Sequence, residues 1–106
     1  MGFFDFLKSP DINQGVEECR NTAGAVLLDV RTVEEYRDGH IPGSRNVPLQ
    51  SIDRVSDGIP DRETPLYVYC RSGARSSQAV SLLQQMGYGK AKNIGGITAW
   101  KGKVER

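Results

Sequence analysis

The stretch that most limits the fold of this chain runs from Leu66 to Met86. A short apolar run, Leu66-Tyr67-Val68-Tyr69, ends on Cys70. A loop of small residues with two arginines follows, Arg71-Ser72-Gly73-Ala74-Arg75-Ser76. Beyond it Ala79, Leu82, Leu83 and Met86 fall at i, i+3, i+4 and i+7 with polar residues between them, which predicts a helix. Strand, loop and helix in that order put a thiol at the C-terminal end of a strand, under a helix N-terminus. In a parallel α/β sheet that edge is where ligands are handled. The unpaired N–H groups of a first helical turn carry partial positive charge and suit an anion, and a thiolate is one. A free cysteine titrates at about 8.5, and a helix N-terminus or neighbouring arginines lower this by roughly one to five pH units. Cys70 therefore reads as a nucleophile.

The other elements predicted along the chain agree with a sheet that could carry such a loop. Pro10-Asp11-Ile12 reads as a short edge strand, and Asn13 as the cap of a helix over Gln14–Arg20, which Gly15 weakens. Cys19 lies on this helix with no base beside it and reads as a small packing residue. Ala25–Val30 is a continuous apolar run, as in a central strand buried on both faces. It closes on Asp29-Val30-Arg31, a charged pair at the functional edge. Thr32 starts a short helix, Val33–Asp38, with Glu35 at the capping-box position and Gly39 as its stop.

His40-Ile41-Pro42-Gly43-Ser44 reads as a turn, with His40 structural rather than catalytic. Arg45–Pro48 is expected to be a short strand, and Leu49–Arg54 a helix that turns Ile52 and Val55 inward. Ser56–Pro65 carries loop signals. Ala91–Ile94 is a last short strand, Gly95-Gly96 a turn, and Ile97–Lys101 a final helical turn. Alternating strands and helices predict an α/β fold with a mainly parallel sheet.

Composition narrows the function classes. The 106 residues suit one compact domain, expected over 10–106 with an arm over 1–9. Phe3, Phe4 and Phe6 of the arm are expected to pack on the domain, with a partner or membrane surface as the alternative. Two cysteines make no disulfide scaffold. With one histidine and no ligand spacing they make no metal site either. Net charge is +1, so bulk charge gives no reason to expect nucleic acid. The charge is uneven, however. Residues 1–64 hold 7 Lys/Arg and 12 Asp/Glu, whereas residues 65–106 hold 7 Lys/Arg and one acid, Glu105. Either the interleaving strands even this out in space, or the site has an electropositive mouth that draws in a small anion. The start is apolar, but Asp5 breaks it and no basic segment precedes it. No run could span a membrane, and a cytoplasmic location is expected.

Four groups of residues resemble successive motifs of one family. They are Leu27–Arg31 followed by Glu34-Glu35-Tyr36; Gly39–Ser44 with Asn46-Val47-Pro48; Cys70–Ser76; and Asn93–Trp100. Together, in this order, they resemble a rhodanese-like domain over Ile12 to Trp100. The resemblance implies a five-stranded, mainly parallel sheet with helices on both faces. It also implies a cysteine that accepts a sulfane sulfur as a persulfide. The family's common reaction takes that sulfur from thiosulfate, releases sulfite, and passes the sulfur to cyanide or a thiol. No cofactor is implied.

The residues suit this chemistry. Gly73 lets the loop curl so that successive N–H groups converge on the sulfur. Arg71 and Arg75 can bind a sulfonate-type donor; one can face the substrate while the other buttresses the loop, and either assignment is open. Ser76 can cap the helix and turn its hydroxyl to the sulfur. Asp29 and Arg31 are expected to order the neighbouring loop by ion pairing. Trp100 is expected to pack near the site rim.

Rhodanese-like phosphatases carry C-x5-R. Here Cys70 to Arg75 is C-x4-R, a smaller cradle, and no Asp follows Pro65 to act as general acid. Arg71, directly after the cysteine, resembles thiosulfate-type loops. Two non-identical roles within the resemblance are a persulfide carrier that relays sulfur between partner proteins, and a non-catalytic binding module. The intact cysteine and loop count against the second.

Overall fold

The computed structural model describes residues 10–106; the expected arm over 1–9 lies outside them. In chain order the elements are α1 (Ile12–Arg20), β1 (Val26–Asp29), α2 (Val33–Asp38), β2 (Arg45–Asn46), a 3-10 segment (Leu49–Arg54) running into α3 (Val55–Gly58), β3 (Leu66–Cys70), α4 (Ala74–Gln85), β4 (Ala91–Gly96) and a 3-10 turn (Ile97–Ala99). The strands form a parallel sheet in the order β2-β1-β3-β4.

Strand β3, which delivers Cys70, is central and buried at every position. Its alternation sorts the core into two layers. Leu66, Val68 and Cys70 pack with Leu28, Ala79 and Leu83 on the α4 face. Tyr67 and Tyr69 pack with Leu27, Ile12, Val16 and Cys19 on the α1 face. Leu28, Val68 and Leu83 are wholly removed from solvent, worth about 1.5–3 kcal/mol each. The loop is thus anchored on the most buried strand.

Several expectations are corrected. Pro10-Asp11-Ile12 is not an edge strand, and the sheet of the described residues has four strands rather than five. Helix α1 instead begins at Ile12, whose side chain belongs to the core. Asp11 caps it, accepting from the Asn13 N–H at 3.0 Å. Asn13 is used differently. Its amide donates to the Ala99 carbonyl and accepts from the Lys101 N–H, tying α1 to the last turn. Gly15 sits where α1 crosses β4; a Cβ there would stand 2.5 Å from Ile94 Cβ. Close approach, not helix propensity, accounts for that glycine.

Gly95-Gly96 is not a turn. Strand β4 continues through both, with a register shift against β3 between Val68 and Tyr69. Gly95 has a φ of +106°, and Gly96 pairs with Cys70. The helix expected over Leu49–Arg54 is a 3-10 segment, and its continuation α3 (Val55–Gly58) takes Ser56, Asp57 and Gly58 out of the expected loop. Ile52 and Val55 do point inward. Among the described residues no helix is long and apolar enough to cross a membrane.

Candidate active site

Cys70 closes β3 and is 1% exposed. The loop that follows reverses at Gly73, whose φ of +106° is in the left-handed region that favours glycine. This residue precedes the first turn of α4. Its N–H donates to Cys70 Sγ at 3.0 Å. The Ser76 hydroxyl lies 3.3 Å from the same sulfur. Burial pushes the Cys70 thiol up, but the Ser76 hydroxyl and the N–H groups of Ser76, Gly73 and Ser72 together outweigh it and bring the thiol below its ordinary value. Cys19 shows the contrast: burial pushes its thiol up, and no hydroxyl or N–H offsets this.

Contrary to expectation, Ser76 does not cap α4; Gly73 occupies the cap position and Ser76 lies three residues inside. From there its hydroxyl reaches Asn93 Oδ1 at 2.7 Å and the Gly73 carbonyl at 3.1 Å as well as the sulfur. Ala74 opens the helix and Ser72 stays exposed on the loop.

The two arginines part company. Arg75 donates from both terminal nitrogens to Glu35, at 2.7 and 3.0 Å. Glu35 also accepts from the Thr32 N–H and hydroxyl, completing the capping box of α2. Chiefly through the Arg75 guanidinium, its carboxyl is held down at about 2. Arg71 is exposed, and among the described residues its guanidinium has no hydrogen-bond or ion-pair partner. Its carbonyl is held from behind by the Thr98 N–H and hydroxyl, both at 3.2 Å. Gly96 backs the loop so closely that a Cβ there would stand 2.2 Å from the Arg71 carbonyl oxygen.

Asp29 and Arg31 form a buried pair. Arg31 donates to Asp29 from its backbone N–H and guanidinium at 2.7–3.1 Å, and to the Gly39 carbonyl at 2.7 Å. Arg31 also lines a hollow of about 260 Å³ with Glu35, Asp38, Arg71, Ile97 and Thr98. This hollow beside Arg71 is therefore not uniformly basic. Acids from the N-terminal half meet the arginines there, and among the described residues Arg71 carries the unpaired positive charge. Trp100 packs on the α1-side core, and its indole N–H donates to Lys103 O. His40 stacks on Tyr36 and bonds to its carbonyl, a structural placement.

Glu35, Asn93, Gly96 and Thr98 also meet the loop, and the sequence alone gives none of them a role there. Glu35 shows its capping-box position, and Asn93, Gly96 and Thr98 only their place in the fourth motif.

The chain is similar to known sulfurtransferases. The thiosulfate sulfurtransferase PspE of Escherichia coli is 38% identical over 71 residues, covering 66% of this chain and 68% of that one. A sulfurtransferase of Allochromatium vinosum is 44% identical over 86 residues, 79% and 78% of the two chains. The structure of the human single-domain sulfurtransferase TSTD1 superposes with a TM-score of 0.72 at 27% identity, covering 88% of this chain and 96% of that one. The pattern that defines the rhodanese-like domain matches residues 13–103, and the chain belongs to that family.

Proposed function

We propose that this rhodanese-type transferase moves a sulfane sulfur from thiosulfate, or a similar small anionic donor, to a thiol through a persulfide on Cys70. The observation that carries the reading is the meeting of the Gly73 N–H and the Ser76 hydroxyl at Cys70 Sγ, at 3.0 and 3.3 Å. These donors favour the thiolate, which is the attacking form. The thiolate attacks the outer sulfur of thiosulfate. A bond forms from Sγ to that sulfur, the bond to the sulfonate sulfur breaks, and sulfite leaves with the electron pair. An acceptor thiolate then attacks the outer sulfur of the persulfide, and Cys70 departs as thiolate. The N–H groups that served the first anion serve the persulfide as well.

In this reading Arg71 holds the sulfonate of the donor, because Arg75 is committed to Glu35. Asp29 and Arg31 order the segment around Gly39 behind the mouth. Ser72, Gly73, Ala74 and Ser76 shape the cradle. The cytoplasm suits a chain whose two cysteines are both free thiols.

Intact mass after treatment with thiosulfate tests the proposal. One sulfur atom is expected on Cys70. An unchanged mass, or modification of Cys19 instead, would overturn it. Cys70→Ser is expected to abolish thiocyanate formation from thiosulfate and cyanide, and Cys19→Ser to preserve it. Complete loading without steady-state turnover would replace the enzyme reading with that of a carrier between proteins.

A further inference from the structure

We propose that Asn93, on β4, is a positioning residue that governs where the Ser76 proton points and thereby sets the reactivity of Cys70. The proposal rests on Cys70 being the working thiol. It adds a residue from the far side of the loop to the groups on which that thiol depends.

The orientation of the Asn93 carboxamide is fixed by its neighbours. The Gly95 N–H lies 3.0 Å from one end and can only donate, so that end is the oxygen. The amide nitrogen then faces the Gly73 carbonyl at 3.2 Å. One side chain thus binds both its own strand and the residue whose N–H reaches the sulfur.

Ser76 has one proton and four acceptors within reach. Asn93 Oδ1 is nearest at 2.7 Å, followed by the Gly73 carbonyl at 3.1 Å, Cys70 Sγ at 3.3 Å and the Gly95 carbonyl at 3.5 Å. With a neutral thiol the proton rests on Asn93. When the thiolate forms, a charge-assisted bond draws it to the sulfur. Release costs little, because Oδ1 keeps the Gly95 N–H. Meanwhile the amide nitrogen still holds the Gly73 carbonyl, which also accepts the Ser77 N–H at 3.1 Å, and so keeps Gly73 beside the sulfur. Asn93 therefore takes the proton while the thiol is neutral and holds Gly73 beside the sulfur when the thiolate forms.

The test is the pH dependence of Cys70 alkylation by iodoacetamide, in a Cys19→Ser background with folding checked by thermal melting. Alkylation needs no sulfur donor, so failure of this inference is separable from failure of the persulfide reading. Asn93→Ala is expected to raise the alkylation midpoint by about one pH unit. The Gly73 carbonyl then takes the hydroxyl proton in place of Oδ1, and Gly73, no longer tied to β4, holds its N–H less well against the sulfur. Asn93→Asp is expected to raise it further, since a carboxylate grips the proton and opposes the thiolate. Turnover with thiosulfate should fall about tenfold, chiefly in kcat. Unchanged midpoints, with only a lower melting temperature, would reduce Asn93 to a packing residue and overturn the proposal. So would a shift in Asn93→Asp alone, which reports bare charge. Should Asn93→Ala fail to fold, the isosteric Asn93→Asp is repeated on a Ser76→Ala chain. A smaller shift there supports action through Ser76, and an equal shift refutes it.

Discussion

Arg75 lies against Glu35 with two parallel bonds, from Nη1 to Oε1 at 2.7 Å and from Nη2 to Oε2 at 3.0 Å. This fork joins the first turn of α4, just beyond the cysteine loop, to the first turn of α2. An arginine engaged in this way has little left for a substrate, and the two arginines of the loop thereby acquire different work.

Arg71→Ala is accordingly expected to weaken the donor. Loss of one charge-assisted contact should raise KM for thiosulfate about tenfold, with a smaller effect on kcat. Arg75→Ala should do the reverse: a lower melting temperature and a lower kcat, because the loop loses its brace. Steady-state kinetics on both variants check this. A larger KM effect for Arg75→Ala would exchange the two roles.

The same pair makes stability depend on pH in acid. Glu35 titrates at about 2 in the folded protein, because of Arg75 first and Thr32 after it. An unfolded glutamate titrates near about 4.3. As the pH falls, the unfolded chain takes up this proton first, so the pair's contribution is complete above the unfolded value and is lost as pH drops toward about 2. Both side chains are partly exposed, and the contribution is about 1–2 kcal/mol. Urea unfolding of the wild type and Glu35→Gln should differ by that amount at pH 7, and the difference should shrink steadily below about pH 4.

Sequence made part of this site visible and hid part of it, for physical reasons. The path from Leu66 to Gln85 was legible because local rules govern it. An apolar run makes the strand, one glycine reverses the chain, and a 3.6-residue period makes the helix. Glu35 was visible only as a cap, since its bond to Arg75 spans 40 positions and only the sheet brings them together. Asn93 was hidden in the same way. Gly95-Gly96 misled because paired glycines usually mark a turn, whereas here a bulge needs one and the passing loop needs the other. Asp11 rather than Asn13 caps α1, so that Ile12 opens the helix and its side chain joins the core.

The thiol chemistry at Cys70 should show the Ser76 hydroxyl directly. The wild-type alkylation rate is expected to rise with pH about a midpoint below that of a free cysteine. The cause is that loop N–H groups and the hydroxyl outweigh burial. Ser76→Ala removes the hydroxyl and leaves the backbone donors. A hydrogen bond to a charged group is worth about 1.5–3 kcal/mol, so the midpoint should move up by about one to two pH units. At neutral pH the alkylation rate then falls with the thiolate fraction, while the rate well above the midpoint is preserved. An unmoved midpoint would leave the thiolate to the backbone N–H groups alone.

The final prediction concerns space rather than charge. Gly96 has a φ of −129°, which any residue adopts, so its need for glycine lies in its surroundings. A Cβ there would meet the Arg71 carbonyl oxygen at 2.2 Å and Ser72 Cα at 2.5 Å. Both are backbone atoms of the cysteine loop, so no side chain can turn aside to make room. Gly96→Ala must push the loop away from β4. That motion loosens the Thr98 bonds to the Arg71 carbonyl and shifts the Ser72 and Gly73 N–H groups relative to the sulfur. The cost in stability is expected to be about 1–3 kcal/mol, read as a lower urea midpoint. The Cys70 alkylation midpoint should rise as well, because the displaced donors serve the thiolate less well. Gly15→Ala supplies the control. Its Cβ meets Ile94 Cβ at 2.5 Å on the opposite, α1 face of β4 and touches no atom of the loop, so it should lower stability with a smaller movement of the alkylation midpoint. Equal midpoint shifts in the two variants would mean that general loosening, and not the position of the loop, controls the thiol.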